Sequence, residues 1–236
     1  MIRRNSGFTI IEVTLFLAIS GALAVGLFAA SSVAIQRQQY KDAVQSYAGY
    51  LRDEYARVIS VQNDRGDDLS CPVSGSESGS VARGQSSCVI VGRYIVTENK
   101  GTEYKSYPIY ANSVSTGGSE ISWNYMYDEN QESTYSLTWD VKTRFASNSS
   151  GADFSFIFYR NPDTGRISVQ SSTTVYPSAK VGDMISDVST DATSSREICV
   201  YDTGWLQSER QSVFLSERAG SSDAVTVANA TDGCND

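Results

Sequence analysis

The stretch SGFTIIEVTLFLAISGALAVGLF, Ser6 to Phe28, holds one carboxylate, Glu12, inside an otherwise unbroken apolar run. A charge at bilayer depth costs about 2.5–3.5 kcal/mol on insertion scales, and such residues normally have a partner. Glu12 is the only charged residue among the 28 from Phe8 to Ile35, and the 23 uncharged residues from Val13 to Ile35 suffice to span a bilayer as a helix. Arg3 and Arg4 precede the run, so the positive-inside bias holds the N-terminus in the cytoplasm and sends the polar remainder outward. A secretory signal peptide shares the basic start, and Ala22-Leu23-Ala24 or Ser32-Val33-Ala34 offers a small-residue cleavage pattern. Two details oppose it: the run exceeds the usual h-region of about 7–15 residues, and an early carboxylate would hinder insertion without contributing anything.

Composition narrows the rest. The chain has 236 residues, 40% of them apolar, enough for a membrane segment and one domain of ordinary size. Its net charge is −8, and loss of Met1 to Gly7, with Arg3 and Arg4, would take it to −8 − 2 = −10. That balance argues against a dominant affinity for nucleic acid. No histidine is present, which removes Ser-His and Cys-His nucleophiles and the commonest metal ligand. No GxxxxGK[ST], GxGxxG or CxxC motif occurs, and no cofactor is expected. An extracytoplasmic glycosidase would have to work with carboxylates alone, and no spacing identifies such a pair.

The residues around Glu12 carry a family resemblance. A short basic leader ending at Gly7, then Phe8, then Glu12 four places on and an apolar helix resembles the class III signal of type IV pilins and type II secretion pseudopilins; the match runs through Gly7, Phe8, Thr9, Ile10, Ile11, Glu12, Val13, Thr14 and Leu15. The resemblance implies cleavage between Gly7 and Phe8 by a prepilin peptidase that also N-methylates Phe8. It further implies that Glu12 neutralises the new ammonium of Phe8 on a neighbouring subunit during filament assembly. Pairing within one helix competes, because positions four apart share a face and a carboxylate near a helix N-terminus gains from the dipole. The implied partners are other pilin or pseudopilin subunits, the peptidase, an assembly platform in the cytoplasmic membrane, and lipid before assembly. Many pilins carry a proline partway along this helix; here Gly21 and Gly26 are the only weak points.

Past Ile35 the polarity changes while the helical period continues. Tyr40, Val44, Tyr47, Leu51, Tyr55 and Val58 form one apolar stripe, with Arg52, Asp53, Glu54 and Arg57 among the polar residues between them. The spacing predicts an uninterrupted helix of about 55 residues, ended by the turn residues Asn63 to Asp68. Domain organisation follows: leader 1–7, transmembrane and assembly helix 8–35, amphipathic continuation 36–62, and an extracytoplasmic head 63–236. Strand-like runs occupy the head, among them 88–96, 107–110, 121–127, 135–145, 154–159, 167–176, 198–201, 213–215 and 225–228, and no comparable helical period follows residue 62. The best hairpin turns at Asn161 to Gly165. The expected fold class is α+β: a long helix, membrane-spanning in its first half, packed by its second half on a mainly antiparallel β head. Such a layout resembles the H-type pseudopilins and FimT-like minor pilins, with Ser87 to Tyr94 as the head segment nearest that subgroup.

Four cysteines behind an exported segment read as disulfides in an oxidising compartment. Three pairings are open; the local ones, Cys71 with Cys88 and Cys199 with Cys234, each bracket one segment of the head. The carboxylates Asp64, Asp67 and Asp68, and again Asp128, Glu129 and Glu132, lack EF-hand spacing and read as solvated loops, so no metal site is expected. The tripeptide Arg65-Gly66-Asp67 matches an integrin-binding motif, although three residues recur easily by chance. Related FimT-type minor pilins are associated with DNA capture through basic C-terminal residues, and Arg210 and Arg218 are the candidates here, each beside a glutamate. The expected function is a non-enzymatic minor pilin or pseudopilin, first in the cytoplasmic membrane with its head outside, then in a filament. The alternative is a permanently anchored single-pass protein whose head senses or binds a ligand; that reading leaves Glu12 and the Gly7–Phe8 junction as coincidences.

Overall fold

A computed structural model of the chain describes residues 9–60, 71, 73, 88–115, 121–146, 153–186, 196–202, 210–216 and 224–234. It resolves into two units, Met1–Asp42 and Ala43–Asp236. Helix α1, Ile10–Ile59, begins in the first and ends in the second, passing through Gly21 and Gly26 without interruption. It stops three residues short of the expected end, and the expected turn at Asn63 to Asp68, with its Arg-Gly-Asp, lies outside the described residues.

From Val13 to Ile35 α1 carries no charged residue and stands largely exposed, with Phe16 at 70% and Phe28 at 77%. A helix hydrophobic all round belongs in an apolar medium, and this one is long and apolar enough to cross a membrane. Its hydroxyls are suited to that medium. Thr14, Ser20 and Ser31 each donate to a carbonyl of the preceding turn, those of Ile11, Leu17 and Leu27.

In the second unit the stripe of α1 turns inward: Val44, Tyr47, Leu51, Tyr55 and Val58 are all buried. The same unit holds β1 (Cys88–Glu98), β2 (Glu103–Ser115), β3 (Ile121–Tyr127), β4 (Ser133–Ser136), β5 (Val141–Phe145), β6 (Ser155–Arg160), β7 (Ile167–Ser172), β8 (Glu197–Asp202), β9 (Gln211–Leu215) and β10 (Val225–Asn229), with a short helix α2 (Val181–Ser186) between β7 and β8. One sheet runs β3-β2-β1-β6-β7 with β4 also on β2, and a second runs β10-β9-β8-β5. All pairings are antiparallel.

Alternation sorts the first sheet into two faces. Arg93, Tyr104 and Phe158 meet Glu54, Tyr47 and Tyr55 of the helix. Tyr94, Val96, Tyr107, Ile109, Ile157 and Tyr159 point the other way, into a layer closed by Val181, Met184 and Ile185 of α2. The β1–β2 register shifts between Ile90 and Gly92, where a Cβ on Gly92 would stand 2.3 Å from the Phe158 carbonyl oxygen. Only glycine lets the strands approach there.

One expectation needs correction. The run Tyr135 to Phe145 is two strands in different sheets, because Trp139 and Asp140 both take left-handed backbone angles, φ 61 and 55, and turn the chain out of line. Helix α2 has six residues, too few to leave a readable period.

Candidate functional site

The first turn of α1 holds Glu12, the one carboxylate of the apolar run. Glu12 is exposed there, and among the described residues its carboxylate has no hydrogen-bond or ion-pair partner. The turn is closed by Thr9, whose carbonyl accepts from the amides of Glu12 (3.1 Å) and Val13 (3.2 Å). Gly7 and Phe8 lie outside the described residues.

The head treats its buried carboxylates differently. Glu54, on the inward face of α1, is 3% exposed. It accepts from Arg93 Nε at 2.7 Å and Ser106 Oγ at 2.7 Å, while Arg57 approaches it at 3.8 Å. The Arg93 guanidinium also reaches Ser106 Oγ and Ser133 Oγ, both at 3.1 Å. One ion pair therefore joins the helix to β1, β2 and β4. Beside it Tyr47, Tyr50, Tyr104 and Tyr135 pack together, Tyr50 and Tyr135 stacked at 4.4 Å. Burial, followed by the charge of Glu54, raises the Tyr50 hydroxyl far above its ordinary value. Glu197, also 3% exposed, accepts from the amide of Thr231 at 2.8 Å and from the Thr231 hydroxyl, fixing the last turn of the described chain.

Disulfides join Cys71 to Cys88 and Cys199 to Cys234. The second ties β8 to the C-terminal turn, and Arg210 adds a bond from Nη1 to the Cys234 carbonyl at 2.8 Å. The Arg210 guanidinium also lies 5.9 Å from the centre of the Tyr201 ring. Its polar head is thus engaged within the domain; Arg218 lies outside the described residues. Asp128 caps its own turn through the amide of Asn130, and Glu132 takes the Tyr107 hydroxyl at 2.7 Å and Lys105 at 3.6 Å. Asp64, Asp67 and Asp68 are not among the described residues. Among those that are, no group of three or more His, Cys, Asp or Glu side chains could hold a metal ion.

Sequence reasoning passed over Glu54, Arg93 and Glu197. The signal for Glu54 was its spacing: it stands three residues after Leu51 and four before Val58, on the apolar stripe itself. A charge in that position either faces a partner or is not buried. Arg93 and Glu197 carry no such mark, since only the folded sheets bring their partners near.

The molecule is of the class with one long N-terminal helix, apolar in its first part, followed by an antiparallel β head. No family model, curated protein or solved structure matches the chain.

Proposed function

We infer that this protein is a pilin-like subunit, a minor pilin or pseudopilin, cleaved between Gly7 and Phe8 and assembled through its apolar helix. The observation that carries this reading is Glu12: a single carboxylate on an exposed apolar helix, without a partner among the described residues of its own chain. A carboxylate in lipid needs a compensating charge. A free amine at Phe8 of an adjacent subunit supplies one, and the Gly7-Phe8-Thr9-Ile10-Ile11-Glu12 sequence is the pattern that would create that amine. The disulfides and the outward topology suit a head displayed beyond the cytoplasmic membrane. Catalysis has no part in this role.

The test is the mature N-terminus, read by mass spectrometry of protein recovered from membrane and sheared-surface fractions. N-methylated Phe8 in both fractions is the expected result. Glu12→Gln should leave cleavage intact and remove the protein from the sheared fraction. An intact Met1, or a start near Ile35, would overturn the reading and leave an anchored or secreted β domain.

A further inference from the structure

We propose that Trp139 docks the head on the lipid headgroup layer of the membrane that α1 crosses. This rests on α1 spanning a bilayer and goes beyond the pilin reading, since it holds equally for a permanently anchored chain. Contacts along α1 place the residue. Glu54 meets Ser106 of β2 and, through Arg93, Ser133 of β4, whereas Tyr47 meets Tyr104 of β2 and Ser46 meets Tyr135 of β4 at 3.0 Å. β2 therefore starts, and β4 ends, toward the rim of the head where α1 enters it at Ala43. Two turns share that rim: residues 99–102 between β1 and β2, and residues 137–140 after β4. They are joined, because Leu137 donates its amide to the Thr102 carbonyl at 2.9 Å, and the Thr143 amide and hydroxyl reach the Gly101 carbonyl at 3.0 and 2.8 Å.

Asn99, Lys100, Gly101, Trp139 and Asp140 in these turns all take left-handed backbone. Glycine, asparagine and aspartate adopt it readily, while a bulky tryptophan does so at a cost. Trp139 stands there 55% exposed, so burial in the head does little to offset that cost. A strained and exposed aromatic points to a contact outside the domain. The chain supplies the candidate surface: only residues 36–42 separate Ile35, the last of the uncharged run, from Ala43, and a helix covers Ile35 to Ala43 in about 12 Å. The headgroup layer takes up about 5–8 Å on each side of the hydrocarbon, so the length of chain between the apolar run and the head matches a rim held at the lipid surface. Tryptophan, with an apolar ring and one N–H donor, is enriched at that depth. Lys100, Asp140 and Asp153 give the rim mixed charge, Asp153 accepting the Lys100 amide at 3.1 Å, so the ring rather than net charge carries the contact.

The test uses the full-length protein in phosphatidylcholine vesicles, plain or brominated near the top of the acyl chains, with tryptophan emission as the readout. Trp123 and Trp205 remain as references in Trp139→Asn. Bromination should quench the wild type, and Trp139→Asn should lose at least about half of that quenching, as expected for the one ring at interfacial depth. Asparagine suits left-handed backbone, so Trp139→Asn should unfold at the wild-type temperature or above it. Emission of the wild type that ignores bromination, or quenching unchanged in Trp139→Asn, overturns the proposal. A lower unfolding temperature for Trp139→Asn also overturns it, by assigning the ring to packing of the head. Vesicle flotation of both proteins reports insertion of α1: a wild type that does not float refutes the membrane span and this proposal with it. The mature N-terminus bears on the pilin reading alone, so the two readings fail separately.

Discussion

Removing the charge of Glu54 should cost this protein much of its head stability. The carboxylate side chain is 4% exposed and that of Arg93 is 11% exposed, so neither recovers full hydration if the other is lost. Breaking a buried ion pair by deleting one partner costs about 3–5 kcal/mol, mostly as the penalty on the stranded charge. Arg93 keeps two serine hydroxyls as acceptors in Glu54→Gln, which places that variant at the low end, about 3 kcal/mol. For a domain of this size 1 kcal/mol moves the Tm by about 2–4 °C. A fall of roughly 6–12 °C is therefore expected by that scaling. The assay is thermal and urea unfolding of the full-length protein in detergent, followed by near-ultraviolet circular dichroism, with Glu54→Met, Arg93→Met and the double variant completing a cycle. The double variant should be more stable than either single methionine variant, because it strands no charge. Refutation would come from a Glu54→Gln loss below about 1 kcal/mol, the scale of an exposed pair, or from strictly additive single losses.

Gly92→Ala should be destabilising by about 1–3 kcal/mol, since its Cβ would meet the Phe158 carbonyl at 2.3 Å at one end of the β1–β6 pairing; urea midpoints check it. Cys234→Ser opens a closure spanning 35 residues and should lower stability by about 3–4 kcal/mol, measured the same way with and without reductant. Alkaline pH should unfold the head. Burial raises the hydroxyls of Tyr47, Tyr50, Tyr104, Tyr107 and Tyr159 and pushes Tyr127 up to about 12, so the folded state keeps protons that the unfolded chain releases near pH 10. Stability is then complete below about pH 10 and lost as pH rises above it. A spectrophotometric titration should show those phenols ionising together with loss of near-ultraviolet ellipticity rather than before it.

Legibility in the sequence tracked the length over which a physical signal repeats. Helix α1 repeats its pattern over 50 residues, first as an unbroken apolar run and then as a stripe, and both halves can be read without a partner. The β6–β7 hairpin was legible because Asn161 to Gly165 holds its turn chemistry in five consecutive residues, where Asn161 Oδ1 takes the amides of Asp163 and Thr164. Division into two sheets was not, since the turn rests on left-handed backbone at both Trp139 and Asp140, and a bulky tryptophan does not announce that conformation. The same limit hid the Glu54–Arg93 pair, whose members are 39 residues apart. The candidate assembly site is proposed from sequence, because its whole pattern lies within a few residues of Glu12.

The treatment of buried carboxylates in the head bears on Glu12. Glu54 has an arginine and a serine, and Glu197 has an amide and a hydroxyl; each is almost fully enclosed and each has its donors. The head follows the general rule that a charge removed from water is paired and hydrogen-bonded. The hydroxyls of Thr14, Ser20 and Ser31 obey it as well, closing on their own carbonyls along the apolar helix. Glu12 departs from that pattern, a full charge on the same helix whose carboxylate meets no donor among the described residues. A carboxylate there is a liability for the lone chain and an asset only where a second chain brings a cation to it, so the economy of the rest of the fold supports reading Glu12 as half of an intermolecular pair. If instead Glu12→Gln assembled as well as the wild type, the charge would have no purpose that its position explains.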